Sequence, residues 1–383
     1  MIDRERLVAE FVALVQISSA SRREGEVARS LVATLEGMGA RVESDDAGAK
    51  VGGDTGNILA RFAGTASNAP PLLLSAHMDT VPPCDHIRPV VHGDIIRADG
   101  TTVLGGDDKA GIVAVLEAVR TVRARRIAHG PIEVLFTICE EIGLAGAKHF
   151  DLSRLSARMG LVLDVDGVHD LVTEAPAANG LQVTVEGQEA HAGVCPERGL
   201  SAIAIAAQAV AGMRLGRIDA ETTANLGVIE GGLAANIVPN RVRIRGETRS
   251  LSIEKLEAQT AHMRDCFERA AAAHRIVLDG HERTGRCEIR VQRNYERLSL
   301  DRDARIVRLV GLAARRLGRP FRTRASGGGS DANVFTSRGL EVANLACGMR
   351  DIHTVNEWVD VKDLFATAEH LVELLRVNAE QPE

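Results

Sequence analysis

Histidine and acidic side chains follow an apolar segment near residue 77. His77 and Asp79 end the run that begins at Leu72. Side chains alternate along a strand, so these two point to the same side. An imidazole is a good zinc ligand, and a nearby carboxylate can orient it. A zinc ligand is therefore one interpretation of His77, and a structural histidine is the other.

A second cluster lies where a helical pattern begins. Gly105 and Gly106 precede Asp107 and Asp108. Small residues let the backbone turn tightly, and the positive end of a helix favours carboxylates. The acids are either a helix cap or metal ligands. Phosphate binding is disfavoured, because Gly-Lys-Ser and Gly-Lys-Thr are absent and two acids would repel a phosphate.

Further acids follow apolar runs later in the chain. Glu140 and Glu141 come after the run that begins at Ile132. Such a pair can divide the work, one glutamate moving a proton and the other binding metal, although a solvated surface pair remains the alternative. Asp164 and Asp166 close the next run, and His353 lies in a loop after an apolar segment.

These clusters recur at corresponding places in one alternating pattern. Open α/β sheets bind ligands at the carboxyl ends of their strands, so the clusters are expected to meet there. Oxygen and nitrogen ligands without thiolate suit zinc, with cobalt or manganese as substitutes. This many carboxylates predicts two ions about 3.5 to 4 Å apart.

The elements that must position these residues are readable from apolar spacing. Helical spacing covers residues 4–17, 23–38 and 110–122, and short apolar runs predict strands at 57–62, 72–75, 132–138 and 161–163. Strands that alternate with helices predict an α/β sheet. From about residue 178 the order becomes β-α-β-β-α-β, which predicts an inserted ferredoxin-like domain. After residue 295 the α/β pattern resumes.

Composition limits the function classes. The 383 residues exceed the roughly 250 to 300 of one hydrophobic core, so two domains are expected. A net charge of -6 and the lack of a basic stripe argue against nucleic-acid partners. No secretory signal and no membrane span is recognisable. Six scattered cysteines predict reduced thiols, so a cytoplasmic protein is expected.

In this order the clusters resemble those of the co-catalytic zinc peptidases, which include peptidase T, glutamate carboxypeptidase, the aminoacylases and succinyl-diaminopimelate desuccinylase. The resemblance implies that His77 binds one zinc ion and that Asp107 bridges two. Asp79 would orient His77, and Glu140 would act as general base and acid. The resemblance also implies a cis peptide bond between Asp107 and Asp108.

The remaining ligands follow from the same resemblance. Glu141 and His353 would bind the second ion, and an acid after Leu163 would complete the first. Asp164 and Asp166 both fit that position, and Asp164 is preferred because it directly follows the strand.

The inserted segment also resembles this family. His191 would polarise the scissile carbonyl, often from the other subunit of a dimer, and Asn236 and Arg249 would contact substrate. Gly328 and Gly329 belong to a loop that would line the substrate. The implied fold is a zinc-peptidase α/β catalytic domain, 1–178 and 293–383, with an inserted ferredoxin-like dimerisation (lid) domain at 179–292. A homodimer through that domain is expected.

The sequences of the motifs most resemble those of the peptidase T branch. This resemblance implies a metal-dependent peptidase that acts on short peptides. Peptidase T carries an arginine immediately before its late Gly-Gly loop, whereas Arg324 lies slightly upstream here, which argues against strict tripeptide specificity. An N-acyl-amino-acid amidohydrolase or carboxypeptidase of the same fold is one alternative. An inactive scaffold protein is another, although the retained Glu140 argues against it.

Overall fold

Two stretches of chain separated by an insertion form the first of two compact units. The structure is a computed structural model that describes residues 2–381. The first unit runs to Ala175 and resumes at Leu298, and the second unit is Pro176–Arg297.

Within the described residues the α-helices are α1 (Arg4–Val15), α2 (Gly25–Gly37), α3 (Ala47–Val51), α4 (Gly106–Ala124), α5 (Ala145–His149), α6 (Ala202–Ala211), α7 (Ile253–Ala273), α8 (Arg305–Arg316), α9 (Asp331–Ser337) and α10 (Val361–Glu380). The strands are β1 (Arg41–Ser44), β2 (Ile58–Phe62), β3 (Leu72–His77), β4 (Pro89–His92), β5 (Ile95–Ala98), β6 (Ile132–Thr137), β7 (Met159–Asp166), β8 (Asp170–Ala175), β9 (Ala177–Glu186), β10 (Gly216–Arg217), β11 (Thr222–Gly231), β12 (Arg241–Ser250), β13 (Arg275–Leu278), β14 (His281–Thr284), β15 (Arg286–Tyr295), β16 (Leu298–Ser299), β17 (Arg322–Ala325), β18 (Glu341–Arg350) and β19 (Trp358–Asp360).

The first unit is built on a mixed sheet whose main path runs β1-β2-β6-β3-β7-β18-β19-β5-β4. The central neighbours β6, β3, β7 and β18 are parallel. Every residue of β3 and β6 is buried, as expected for strands covered on both faces. Phe11 of α1, Val115 of α4 and Leu371 of α10 share one apolar core with these strands. The α/β class predicted from the sequence is confirmed.

The second unit is a five-stranded antiparallel sheet in the order β10-β11-β12-β9-β15. Its apolar core joins Val183 and Ile244 of the sheet to Ile205 of α6 and Phe267 of α7. The main strands and helices follow the β-α-β-β-α-β order, and the strand order β11-β12-β9-β15 is that of a ferredoxin-like sandwich. In the part of the chain that the structure describes, no helix is long and apolar enough to cross a membrane.

Helix α4 lies unusually close to β7 because Gly111 has no side chain. A Cβ at this position would lie 2.4 Å from the carbonyl oxygen of Leu163 and 2.5 Å from Oδ1 of Asp108. Both distances are far below van der Waals contact, so a larger residue would force the helix away from the strand. The glycine therefore sets how closely the start of α4 approaches Asp164 at the end of β7.

We expect Gly111→Ala to lower the free energy of unfolding by about 1 to 3 kcal/mol, because overpacking a tight contact costs this much. Urea denaturation followed by circular dichroism measures the change. The matched control is Gly37→Ala, since no heavy atom lies within 4 Å of its added Cβ. That variant should be neutral or gain up to about 1 kcal/mol from helix propensity. Equal midpoints in the two variants would contradict the proposed close contact.

Candidate metal centre

The central parallel strands bring three of the candidate side chains to one edge of the first unit's sheet. His77 is the last residue of β3, Glu140 follows β6 by three residues, and Asp164 lies near the end of β7. Strands β6, β3 and β7 are adjacent and parallel, so their carboxyl ends coincide. The crevice at this edge is the usual ligand site of an α/β sheet.

Asp107 enters this edge from the start of α4. The backbone there departs from helical geometry: Gly105 has φ 73°, Asp107 has ψ 103°, and the Asp107-Asp108 peptide bond is cis, as the family resemblance implies. Oδ1 of Asp107 lies 2.9 Å from Nε2 of His77, and Oδ2 lies 3.1 Å from Nε2 of His353. One carboxylate therefore faces two different imidazoles.

Two ligand groups share this carboxylate. In the inner group, ligand atoms of His77, Asp107 and Asp164 all lie within 4.8 Å of one another. In the outer group, Asp107 is joined by Glu141 and His353, whose Oε1 and Nε2 atoms are 3.0 Å apart. The donors are imidazole nitrogen and carboxylate oxygen, which suits zinc and similar divalent ions.

The cluster concentrates negative charge away from solvent. Burial is the largest cause that raises the pKa of Glu140 well above its usual value, and the negative charge of the neighbouring Asp164 carboxylate is the next largest. Burial and the charge of Asp107 do the same to the pKa of Asp164. Such a site favours bound positive charge, because buried carboxylates are stable only when they are paired or coordinate a cation.

The pKa values of the two histidines are raised as well, which for an imidazole favours the charged form. Burial disfavours the charged form of His77, but hydrogen bonds with Asp107 and Asp79 raise its pKa well above the usual value. Hydrogen bonds with Asp107 and Glu141 raise the pKa of His353 to about 10. Both shifts have the same cause, the carboxylates that surround these imidazoles, and divalent cations held between the same atoms would offset that negative charge. The donor set and its charge balance fit two cations.

Asp79 holds the inner ligand and the Glu140-Glu141 turn together. Its Oδ1 accepts the N–H of Glu140 at 2.9 Å, and its Oδ2 accepts the N–H of Glu141 at 3.2 Å and the hydroxyl of Ser21 at 2.6 Å. Nδ1 of His77 lies 3.0 Å from the carbonyl oxygen of Asp79. A proton on Nδ1 leaves Nε2 free to face a metal, and a backbone carbonyl is one of the usual acceptors for the second ring nitrogen of a histidine ligand.

Asp164 and Asp166, the two candidates that the sequence left open, occupy different environments. The side chain of Asp164 is 12% exposed, and its Oδ1 lies 4.0 Å from Nε2 of His77. The side chain of Asp166 is 61% exposed, and its carboxylate forms an ion pair with Arg324 at 2.7 Å. The geometry therefore favours Asp164 as the ligand.

Three residues to which the sequence analysis gave no positioning role support the candidate ligands from behind. Glu357 accepts backbone N–H groups of the turn that carries Asp107. Asp108 accepts the N–H of His77 at 3.2 Å. Asn344 bonds both backbone groups of Asp164, at 2.8 and 2.9 Å. A polar residue inside the apolar run 342–346 could have indicated a role for Asn344. No local sequence pattern distinguishes Glu357.

The predicted substrate residues lie in two places. Gly328 and Gly329 precede α9 in the first unit, where the N–H of Gly328 donates to Oγ of Ser326 at 3.1 Å. In the second unit, His191 and Asn236 are exposed, and Arg249 forms an ion pair with Glu247 at 2.9 Å. His191 belongs to an isolated bridge with Ile237, next to Asn236.

Known proteins resemble this chain over its full length. The family model "Peptidase family M20/M25/M40" matches residues 73–377. The chain is 41% identical to aminopeptidase PepT of Bacillus cereus ATCC 10987, with a TM-score of 0.86 and 99% of each chain covered. It is 35% identical to a tripeptidase of Staphylococcus aureus, with a TM-score of 0.92 and 100% of each chain covered. It is 40% identical to the uncharacterized protein YqjE of Bacillus subtilis, covering 99% of this chain and 100% of that protein.

Replacing Asp164 should separate the two candidate acids. We expect Asp164→Ala to bind about one metal ion per chain instead of about two, because it removes one ligand of the inner group. Asp166→Ala should keep the full content, since its carboxylate pairs with Arg324. Atomic emission on purified protein measures both. Loss of metal from Asp166→Ala alone would reverse the assignment.

Proposed function

This chain belongs to peptidase family M20/M25/M40, and from that premise we propose that it is an aminopeptidase that releases residues from short peptides with the help of two zinc ions. The predicted metal-dependent exopeptidase of the peptidase T type is confirmed by the family and by the solved aminopeptidase. The observation that carries the proposed centre is Asp107, whose two oxygens face His77 and His353.

His77, Asp107 and Asp164 would hold one ion, and Asp107, Glu141 and His353 would hold the other. When bound, two such ions polarise the substrate carbonyl and make a water molecule more acidic. Zinc is proposed because the donors are nitrogen and oxygen without thiolate, and cobalt or manganese would be substitutes. In the described part of the chain these groups form one cluster, which is buried at His77 and Asp107 and open to solvent at His353, and this supports the proposal.

Glu140 is the proposed general base and acid. Its backbone is held by Asp79, and its side chain is buried beside His77 and Glu141. Burial and the neighbouring Asp164 carboxylate raise its pKa, which makes the Glu140 carboxylate a better proton acceptor than an ordinary glutamate. It would accept a proton from the attacking water and deliver it to the leaving amine.

The substrate contacts proposed for this chain come from the family resemblance. His191 would stabilise the developing oxyanion, and Asn236 and Arg249 would contact the peptide. Arg249 already pairs with Glu247, so binding of a substrate carboxylate would have to compete with that ion pair. Gly328 and Gly329 would line the substrate in the first unit. Homodimerisation through residues 179–292 and a cytoplasmic location are also proposed, the latter because the cysteines are free.

Glu140→Gln should keep both ions and lower kcat by about 10²- to 10⁴-fold. This is the usual contribution of a general acid–base group. The neighbouring variant Glu141→Gln provides the contrast, since it should lose activity together with an outer-group ion. Metal analysis and kcat on a tripeptide, measured on the same preparations, distinguish the two. Near-native turnover in Glu140→Gln would refute the assignment.

A substrate panel tests the proposed peptide specificity. Tripeptides with a free amino terminus should give the highest kcat/KM, ahead of dipeptides, N-acetylated tripeptides and N-acetyl amino acids. The relatives named aminopeptidase and tripeptidase support this order. Faster hydrolysis of N-acetyl amino acids would instead favour an amidohydrolase, and release of the carboxyl-terminal residue would favour a carboxypeptidase.

A further inference from the structure

Glu357 is a buried acid that touches the candidate metal centre only through the backbone. It is 1% exposed. Its Oε2 accepts the N–H groups of Leu104 and Gly105, both at 2.8 Å, and its Oε1 accepts the N–H of Asp107 at 2.9 Å. We propose that Glu357 is a positioning residue that fixes the shared ligand Asp107, so that its loss weakens binding of divalent cations. This inference rests on the proposed metal centre.

The turn before α4 needs an outside partner. The first N–H groups of a helix have no acceptor within the helix. Here the backbone is irregular as well, because Gly105 has positive φ and Asp107 and Asp108 are not helical. The Glu357 carboxylate accepts the N–H of Asp107 in this first turn and those of Leu104 and Gly105 just before it. Its negative charge is favourable at a helix start. The orientation of the Asp107 side chain therefore depends on a residue 250 positions away.

The segment that carries Glu357 also carries the outer ligand His353. Trp358 follows Glu357 directly and begins β19, which pairs with β18 and β5. The indole N–H of Trp358 donates to Oδ2 of Asp351 at 3.0 Å, and Asp351 and His353 both have positive φ. The loop 351–357 is thus anchored in the sheet at its Trp358 end and turns tightly at Asp351 and His353. It presents His353 to one oxygen of Asp107 while Glu357 holds the backbone of the same residue.

A purely structural role makes a different prediction, and the chain contains a matched case. Glu133 is also a buried glutamate, 2% exposed, that accepts backbone N–H groups, those of Ser156 and Ala157 at 2.9 to 3.0 Å. It is the second residue of β6, at the opposite end of that strand from Glu140. Glu357 and Glu133 therefore share burial and backbone N–H partners but differ in position relative to the proposed ligands. Glu133 also forms an ion pair with Arg61 at 3.4 Å, so its replacement tests the loss of a buried acid at least as severely.

The experiment compares the full-length wild type with Glu357→Gln and Glu133→Gln. Each protein is stripped with a chelator and titrated with Zn²⁺ against a competing chromophoric chelator. Co²⁺ absorption provides a second readout of ligand geometry. Mutation of a group that hydrogen-bonds a metal ligand changes metal affinity by about 10- to 100-fold, so Glu357→Gln should weaken zinc binding by that factor and alter the Co²⁺ spectrum. Glu133→Gln should bind both ions as the wild type does and lose only thermal stability.

Glu357→Asp keeps the carboxylate with a shorter reach and should recover part of the affinity that Glu357→Gln loses; it also serves if the glutamine variant does not fold. Equal zinc affinities in wild type and both Glu357 variants would overturn this inference alone. Equal losses in Glu133→Gln and Glu357→Gln would also overturn it, since burial rather than position would then be the cause. A wild type that binds no divalent cation would overturn the proposed centre as well.

Discussion

Asp107 offers one carboxylate oxygen to His77 and the other to His353, and the remaining architecture serves to hold it there. The demand is electrostatic as well as geometric. Asp107, Glu140 and Asp164 are all close together and largely removed from water, where like charges repel strongly. Such a cluster persists only with compensating positive charge and with donors that fix each carboxylate.

The fold meets this demand in two layers. Three of the proposed ligands come from the ends of β3 and β7 and from the start of α4, and Glu141 and His353 come from the segments that follow β6 and β18. Behind them lie Asp79 and Glu357, two acids that belong to neither ligand group. Their carboxylates accept hydrogen bonds from backbone N–H groups. Each of these acids stabilises a turn that carries a ligand or the proposed base. Positions of the reactive groups are thereby set by buried hydrogen bonds and not by flexible side chains.

The sequence predicted the parts of this centre that depend on local pattern. His77 and Glu140 follow buried apolar strands, and Asp107 opens a helix, so their meeting follows from parallel strands ending at one edge. Asp164 was preferred over Asp166 but both stayed open, because residues two apart on a strand share a face. Only the contacts with His77 and Arg324 distinguish them.

Long-range contacts account for what the sequence did not reveal. Glu357 meets a turn some 250 residues earlier, and no local spacing encodes that contact. Strand β8 was not predicted either, because it is stabilised by pairing with β16, β17 and β18, all of which lie more than a hundred residues further along the chain. The inserted segment was easier to predict, since its alternation and helical spacing are local to 181–291.

Arg324 shows how such contacts bear on specificity. Peptidase T carries an arginine immediately before its late Gly-Gly loop, and in this chain the nearest arginine is committed elsewhere. Its guanidinium bonds Asp166 at 2.7 Å and Asp170 at 3.1 Å, and so joins the end of β7 to the start of β8. Releasing it to bind a substrate carboxylate would leave Asp170, whose side chain is 11% exposed, with one fewer partner. The loop at 326–330 consists of glycine and serine, so its backbone N–H and hydroxyl groups are the donors it can offer to a peptide. If this loop lines the substrate as proposed, its neutral donors would bind the peptide backbone and not a terminal carboxylate.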